Sequence, residues 1–436
     1  MIKKIIFTTD IFRVSDGVEY YLDVFLASVY KLFCYQIFLV TEEYPILNYS
    51  KDKNIFDIKK FYDLCGYEYN ESNWLKISSG KISELAERYF VESFNNYIII
   101  SYHANPLMIK LFKKYDITYI DMFEGSIRFL EDLHFAMRSN NLEIYHNLLK
   151  YEFPKENIYM EANRLSAKYK SFLVNDKYVN LKDNSLLLCG QVQSDISLLI
   201  NGEYIKLSDK KDIFSKIVKE YDYLYYKPHP YARNDEENQA FIKEFIDFEI
   251  CYHNIYSMLS SPSIVGVAAL SSGTLHEAKY FNKKVHILSH LYVDYYNDVV
   301  DTDKFITLNT EYFSPTFWAN ILNPIIKVND NIKYFNFNNN TNYMRNNIFA
   351  WWGYEQGINE NDIKYQVYDR IHNELISLKN TNNYLNNEVE ILKNTNNYLN
   401  NEVEILKNNT NYFNNVLINV INSICWWLPI RKWRNN

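Results

Sequence analysis

At 436 residues the chain is too long for one compact domain and suits two domains with an appendage. A hydrophobic fraction of 47% excludes wholesale disorder, and a net charge of -7 disfavours a general nucleic-acid binder. Five scattered cysteines (Cys34, Cys65, Cys189, Cys251 and Cys425) form no CxxC pair, so neither a disulfide framework nor a zinc module is supported, and a reducing cytoplasm fits best. No apolar run reaches 18 residues, so no membrane-spanning helix is expected. The opening residues lack the long apolar core of a secretory signal.

The first apolar run, 5–7 (IIF), reads as a buried strand that ends at Thr8, Thr9 and Asp10. A helical stretch follows from about Gly17, and 35–40 (YQIFLV) reads as the next strand. Further strands are expected at 97–100 (YIII) and 117–120 (ITYI), with helical segments between them. Around 176–184 (DKYVNLKDN) the pattern becomes polar. A second set then opens with 186–189 (LLLC) and continues at 223–226, 263–267 and 285–288. Alternating strands and helices in both halves predict an α/β fold: two Rossmann-like domains facing a cleft. The expected divisions are 1–178 and 179–375.

The tail differs in kind. LKNTNNYLNNEVEI occurs at 378–391 and again, unchanged, at 392–405. Leu378, Leu385, Leu392, Leu399 and Leu406 recur every seven residues, and Phe413 continues the row. Asn382, Val389, Asn396, Val403 and Thr410 follow at four-residue offsets. With Leu at d and alternating Asn and Val at a, this predicts a coiled coil over 376–415. An Asn-rich unstructured linker is the competing reading. The last stretch, 416–436, mixes apolar residues and Trp426, Trp427 and Trp433 with Arg431, Lys432 and Arg434. It suits a segment lying at an anionic membrane surface, against the alternative of docking on the protein's own body.

In open α/β sheets, ligands sit at the carboxyl ends of strands. Four such junctions carry candidate chemistry. Asp121-Met122-Phe123-Glu124-Gly125-Ser126 follows ITYI, and Glu124 would serve as a general acid or base if the cleft raised its pKa. The continuation SIRFLEDLHFAMRSNN reads as helical, and its Arg128 or Arg138 would hold a substrate carboxylate. Gly190-Gln191 follows LLLC, with Asp195 either in the site or an ordinary N-cap. Lys227-Pro228-His229-Pro230 places an imidazole beside a Lys in a proline-restricted frame suited to a phosphodiester. Ser271-Ser272-Gly273-Thr274 offers backbone N–H groups to an anion at a helix start, with Glu277 one turn in, or is plain helix capping. No P-loop is present, and Asp301-Thr302-Asp303 reads as a loop and not as a metal pair.

The Lys227-Pro228-His229-Pro230 and Ser271-Ser272 pairings resemble the HP and serine motifs of bacterial GT-B glycosyltransferases that use CMP-activated 2-keto sugars: sialyltransferases, polysialyltransferases and Kdo transferases. Gln191-x-x-x-Asp195, with Glu124 upstream, is most similar to retaining β-Kdo transferases of capsule and O-antigen assembly. The resemblance spans roughly residues 95–290. It implies an N-terminal acceptor domain and a C-terminal CMP-sugar domain. It implies Asp195 as the nucleophile on C2 of Kdo, Glu124 acting on the acceptor hydroxyl, and His229 with Lys227 on the CMP phosphate. Ser271, Ser272, Gly273 and Thr274 would hold that phosphate, Glu277 would reach the ribose, Gln191 would line the site, and Arg128 or Arg138 would take the sugar carboxylate. No metal or other cofactor is expected. Phe123 stands where sialyltransferases carry an acidic residue. An inverting sialyltransferase with Glu124 as base stays open, as do a UDP- or GDP-sugar enzyme and a non-catalytic coiled-coil scaffold. The expected partners are a CMP-sugar donor, a glycan or glycolipid acceptor, a second copy through the coiled coil and the cytoplasmic face of the inner membrane, with no nucleic acid.

Overall fold

The computed structural model describes residues 4–14, 21–49, 54–175, 181–193, 195–200, 202–229, 235–329, 343–348 and 365–427. These form two compact units, 1–363 and 364–436. The larger unit has two lobes, each built on its own sheet.

The first lobe holds β1 (Lys4–Thr8), β2 (Ile46–Leu47), β3 (Tyr97–Tyr102), β4 (Tyr119–Glu124) and β5 (Phe135–Ser139). The second holds β6 (Ser185–Cys189), with a small hairpin of β7 (Leu199–Ile200) and β8 (Glu203–Tyr204) beside it. Its sheet continues with β9 (Tyr223–Lys227), β10 (Phe248–Ile250), β11 (Ile264–Ala269) and β12 (Lys284–Ile287). A late strand, β13 (Ile306–Thr307), returns to the first sheet and pairs antiparallel with β5. The strand orders are β13-β5-β4-β3-β1-β2 and β10-β9-β6-β11-β12. The second sheet is parallel throughout. In the first, β5 runs against β4. Strand order reverses between β1 and β3 in one sheet and between β6 and β11 in the other, the switch points where α/β sheets bind ligands. The lobes touch where the Arg128 N–H, in the loop after β4, donates to Glu277 Oε1 (2.8 Å) and where Gly202, in the β7–β8 turn, approaches Ser79. This is the α/β, GT-B-type arrangement expected from the alternation of strands and helices.

Several expectations are corrected. The run 35–40 is not a strand but the end of the helix Tyr21–Thr41. Its buried residues Leu26, Val29, Phe33, Ile37 and Val40 recur at three and four, which is helical periodicity. The stretch after Glu124 is not helical. Residues 125–134 are irregular, and Phe135–Ser139 is a strand. Elements also cross between the lobes on either side of residue 178. The helix Lys155–Asn175 packs its Ile158, Ala162, Leu165 and Tyr169 into the second lobe's core with Leu187 and Val267. Conversely Ile306, Phe317, Trp318 and Leu322 fill the first lobe's core with Phe33 and Phe135. A short helix, Tyr343–Ile348, is pinned there too, since Asp132 accepts from Met344 N (2.7 Å) and Arg345 N (3.1 Å).

The smaller unit is one helix, Tyr365–Trp427, of 63 residues. At 1.5 Å per residue it is about 95 Å long. The exact repeat produces the same local bond twice: Tyr384 to Glu388 (3.0 Å) and Tyr398 to Glu402 (3.1 Å). The leucine row at 378, 385, 392, 399 and 406 is exposed along it. Residues 428–436, with Arg431, Lys432, Trp433 and Arg434, lie outside the described residues. No described helix is long and apolar enough to cross a membrane.

Trp318 is fully buried and its indole N–H donates to Tyr312 O (3.0 Å). Trp318→Ala is expected to remove about 3–5 kcal/mol from the unfolding transition of the first lobe, read by urea titration. An unchanged transition would overturn the assignment of 306–322 to that core.

Candidate functional site

The second switch point is built around Gly190. A Cβ there would stand 2.6 Å from the Tyr226 hydroxyl and 3.3 Å from His229 N, so only glycine lets the loops after β6 and β9 touch. The Gly190 N–H donates to Lys227 O (2.8 Å). The next residue closes the third side: Gln191 Oε1 accepts from Ser271 N (2.6 Å), and its Nε2 donates to Ser197 Oγ (3.2 Å). Gln191, His229 and Ser271 therefore share one strand-end cluster. Ser272 Oγ caps Thr274 N (3.3 Å), while Gly273 has open space around its α-carbon.

Asp195 caps the 3-10 turn Ile196–Leu198 by accepting from Ser197 N (2.9 Å), so the capping role foreseen for it is present. It also faces the cluster. Burial, with Lys227 nearby, pushes the His229 imidazole below its ordinary pKa, and the Asp195 carboxylate opposes that shift. Lys227 is lowered by burial and donates to His253 O (2.6 Å). A pocket of about 290 Å³ opens beside these loops, lined by Leu188, Gln191, Tyr204, Tyr226 and Asn238 among others.

At the first lobe, Glu124 ends β4, is buried, and hydrogen-bonds through Oε2 to His103 Nε2. Burial alone would raise its pKa. The charge and hydrogen bond of His103, with the charge of Arg128, outweigh burial and hold it at about 2. His103 escaped the sequence reading. It follows β3 with φ +58°, and its ring stacks on Phe123 at 4.0 Å. Its position after the apolar strand YIIISY was the one available signal. At the switch point itself, Asp10 is buried, and burial raises its pKa against the hydrogen bond from Asn105 Nδ2 (3.1 Å) and the Arg13 charge.

One short segment ties the two clusters together. Tyr292 N donates to Ser271 Oγ (3.1 Å), and the Tyr295 hydroxyl donates to Glu124 O (3.0 Å). Three residues span at most about 11 Å. His276, buried and lowered to about 4 by desolvation, is neutral and pins the same segment by its Nε2 contact with Val293 O (3.1 Å). Desolvation raises the Tyr292 hydroxyl; the carboxylates of Asp10, Asp121 and Asp195 add to that effect and Arg138 opposes it.

Two of the expected ligands have partners within the protein. Arg138 grips Asp121 Oδ2 through Nε (3.1 Å) and Nη2 (2.9 Å), donates to Asp303 O (2.9 Å) and stacks on Phe305. An antiparallel strand sets it opposite Asp121. Glu277 is buried. Its Oε1 accepts from Arg128 N (2.8 Å) and the Tyr256 hydroxyl (2.9 Å), and burial raises it to about 7. Arg128 lowers both Glu124 and Glu277, so its charge already faces two carboxylates. Among the described residues, no group of three or more His, Cys, Asp and Glu side chains is arranged to hold a metal.

No family model matches the chain, and no curated protein matches it. Among solved structures, the chain is similar to the β-Kdo 2,7 transferase of Thermosulfurimonas dismutans KpsC, at 14% identity over 73% of this chain and 90% of that one, with a TM-score of 0.33. The β-Kdo 2,4 transferase of the same KpsC shares 14% identity over 43% of this chain and 67% of that one, at a TM-score of 0.27. A UDP co-structure of S. aureus MnaA shares 12% identity over 66% and 79%, at 0.25. The functional reading therefore rests on the site's own geometry.

Glu277 gives a pH test. Its folded pKa is raised from 4.5 to about 7, so the unfolded state ionises first. Stability attributable to this group is intact below about pH 4.5, declines up to about 7, and is fully lost above. Glu277→Gln keeps an acceptor oxygen and cannot ionise. It should match wild type near pH 4.5 and exceed it at pH 8 by up to about 3 kcal/mol in denaturant titrations. Equal pH slopes for the two proteins would contradict the buried placement.

Proposed function

We propose that the chain is a glycosyltransferase that moves a 2-keto sugar acid, Kdo, from CMP-Kdo to a surface-polysaccharide or lipo-oligosaccharide acceptor. The observation that carries this reading is the 292–295 segment, which holds the Ser271 and Glu124 clusters within one short span. Donor chemistry belongs to the second lobe. His229 and the open backbone at Ser272 and Gly273 would take the phosphate, and the imidazole would offset charge as CMP departs. Gln191 would keep the Ser271 loop in place. The adjoining pocket has apolar walls and amide side chains, a lining suited to the nucleoside. Lys227 would act on the phosphate through the field of its charge, since its ammonium is occupied by His253 O.

In this reading Asp195 attacks C2, the bond to the CMP phosphate oxygen breaks, and a glycosyl-enzyme forms with retention after the second displacement. A second reading is favoured by the Asp195 cap on Ser197: an inverting CMP-sialic acid type transferase in which Asp195 is structural and the Glu124 site supplies the base. Intact-protein mass spectrometry after incubation with CMP-Kdo separates them. A single-Kdo adduct in wild type, absent in Asp195→Ala, is expected. CMP release with product but no adduct would move the assignment to the inverting route. No donor consumption with either sugar class would return the chain to a non-catalytic scaffold.

The tail would dimerise the protein, with Asn at alternate a positions favouring two strands. Residues 416–436 would rest on an anionic membrane at the cytoplasmic face, near a lipid-linked acceptor. Deleting 378–436 is expected to convert a dimer to a monomer in light scattering and to abolish flotation with anionic vesicles. A dimer that persists would remove the coiled coil as its cause.

A further inference from the structure

The unexpected residue at the first lobe is His103, and its geometry assigns a division of labour within the Glu124 cluster. The carboxylate is buried and the imidazole covers it. The His103 side chain keeps 26% exposure against 9% for Glu124. An ionised carboxylate only accepts hydrogen bonds. The Nε2 that meets Glu124 Oε2 must therefore carry the proton. With the proton at Nε2, the neutral form of the ring presents a lone pair at Nδ1, which makes no hydrogen bond among the described residues. The ring is fixed on its other faces: it stacks on Phe123, and its backbone N–H donates to Met122 O (3.1 Å). Its φ of +58° is a left-handed conformation that a non-glycine residue adopts at a cost, and such strain concentrates where geometry serves function.

We infer that His103 is the proton acceptor for the incoming hydroxyl and that Glu124 is its positioning residue. This inference rests on the transferase reading above and reassigns the base within it. As the acceptor oxygen bonds to the anomeric carbon, its proton passes to His103 Nδ1. The bond from that carbon to its leaving oxygen breaks, and the leaving oxygen keeps the electron pair. The imidazolium is held by the Glu124 carboxylate and later returns the proton to water. Once His103 carries that proton, its charge and that of Arg128 keep the Glu124 carboxylate ionised as the counter-ion. The other charged or titratable neighbours of the pair are Tyr102 at the end of β3, Arg128 in the loop after β4 and Tyr295 of the bridging segment.

Two measurements on the full chain test this. Side-chain nitrogen NMR, with the His103 signal assigned by its loss in His103→Gln, reads the tautomer directly. The Nε2–H form is expected in wild type, with the preference relaxed in Glu124→Gln. The second measurement uses CMP-Kdo with glycerol as a surrogate acceptor and compares CMP release without acceptor against transfer to glycerol. His103→Gln is expected to lower transfer by about 10²–10⁴-fold while CMP release stays within about threefold. Added imidazole should restore part of the transfer in His103→Ala. Equal losses in both reactions, unaffected transfer, or a dominant Nδ1–H tautomer would each overturn the inference. If wild type consumes no donor, the transferase reading falls, and the tautomer alone decides whether the pair is organised as described.

Discussion

The close approach of three strand-end loops at Gly190 sets the geometry that the second lobe depends on. With no side chain there, the Tyr226 hydroxyl and the His229 backbone move in to distances that a Cβ would forbid. Asp235 and Asn238 hold that hydroxyl in place, so the crowding is fixed from both sides. The contact then propagates. Gly190 is bonded to Lys227 O, Gln191 reaches across to Ser271, and Ser271 receives the bridging segment through Tyr292. A sheet whose order reverses between β6 and β11 leaves a crevice at that point. Gly190 and Gln191 determine how wide the crevice is and which groups border it.

Holding two lobes in one geometry needs more than a single linker, and here elements cross in both directions. The helix Lys155–Asn175 leaves the first lobe to fill the second lobe's core, and 306–322 returns to fill the first. The Asp132 carboxylate closes the return by accepting from Met344 and Arg345. These crossings bury large side chains, so a change in lobe spacing would expose apolar surface, at about 25 cal/mol per Å². Against that background, the modest hydrogen bonds of 292–295 are sufficient. They set the register of two clusters whose separation the cores have already limited.

Three buried carboxylates show how local contacts decide a charge state. Burial raises Asp10, Glu124 and Glu277 alike. Only Glu124 has an imidazole bonded to it, and only Glu124 ends below its ordinary value. Glu277 has a backbone N–H and a phenol for partners, and these do not offset its desolvation. A shared position at a strand or helix end therefore does not predict a shared role. Desolvation is similar for all three, and the partner makes the difference.

The same distinction explains what the sequence disclosed. Both sheets, the switch-point loops and the long tail helix were legible, because buried parallel strands and heptads leave periodic patterns. The strand-end positions of Glu124, Gln191, Asp195, His229 and Ser271 were legible because each follows or ends an apolar run. The 35–40 run was not, since a short apolar stretch fits helix and strand equally until its neighbours Val29 and Phe33 are known to be buried. The contacts of Arg138 and Glu277 were not legible, for a different reason. Their partners, Asp121 on the neighbouring strand and Arg128 in the other lobe, are 17 and 149 residues away. His103 and Tyr295 were missed on the same ground, since each matters through Glu124, 21 and 171 residues distant. Local pattern reveals where a strand ends, but whether the side chain there acts as base, counter-ion or strut depends on pairings that only the folded chain brings about.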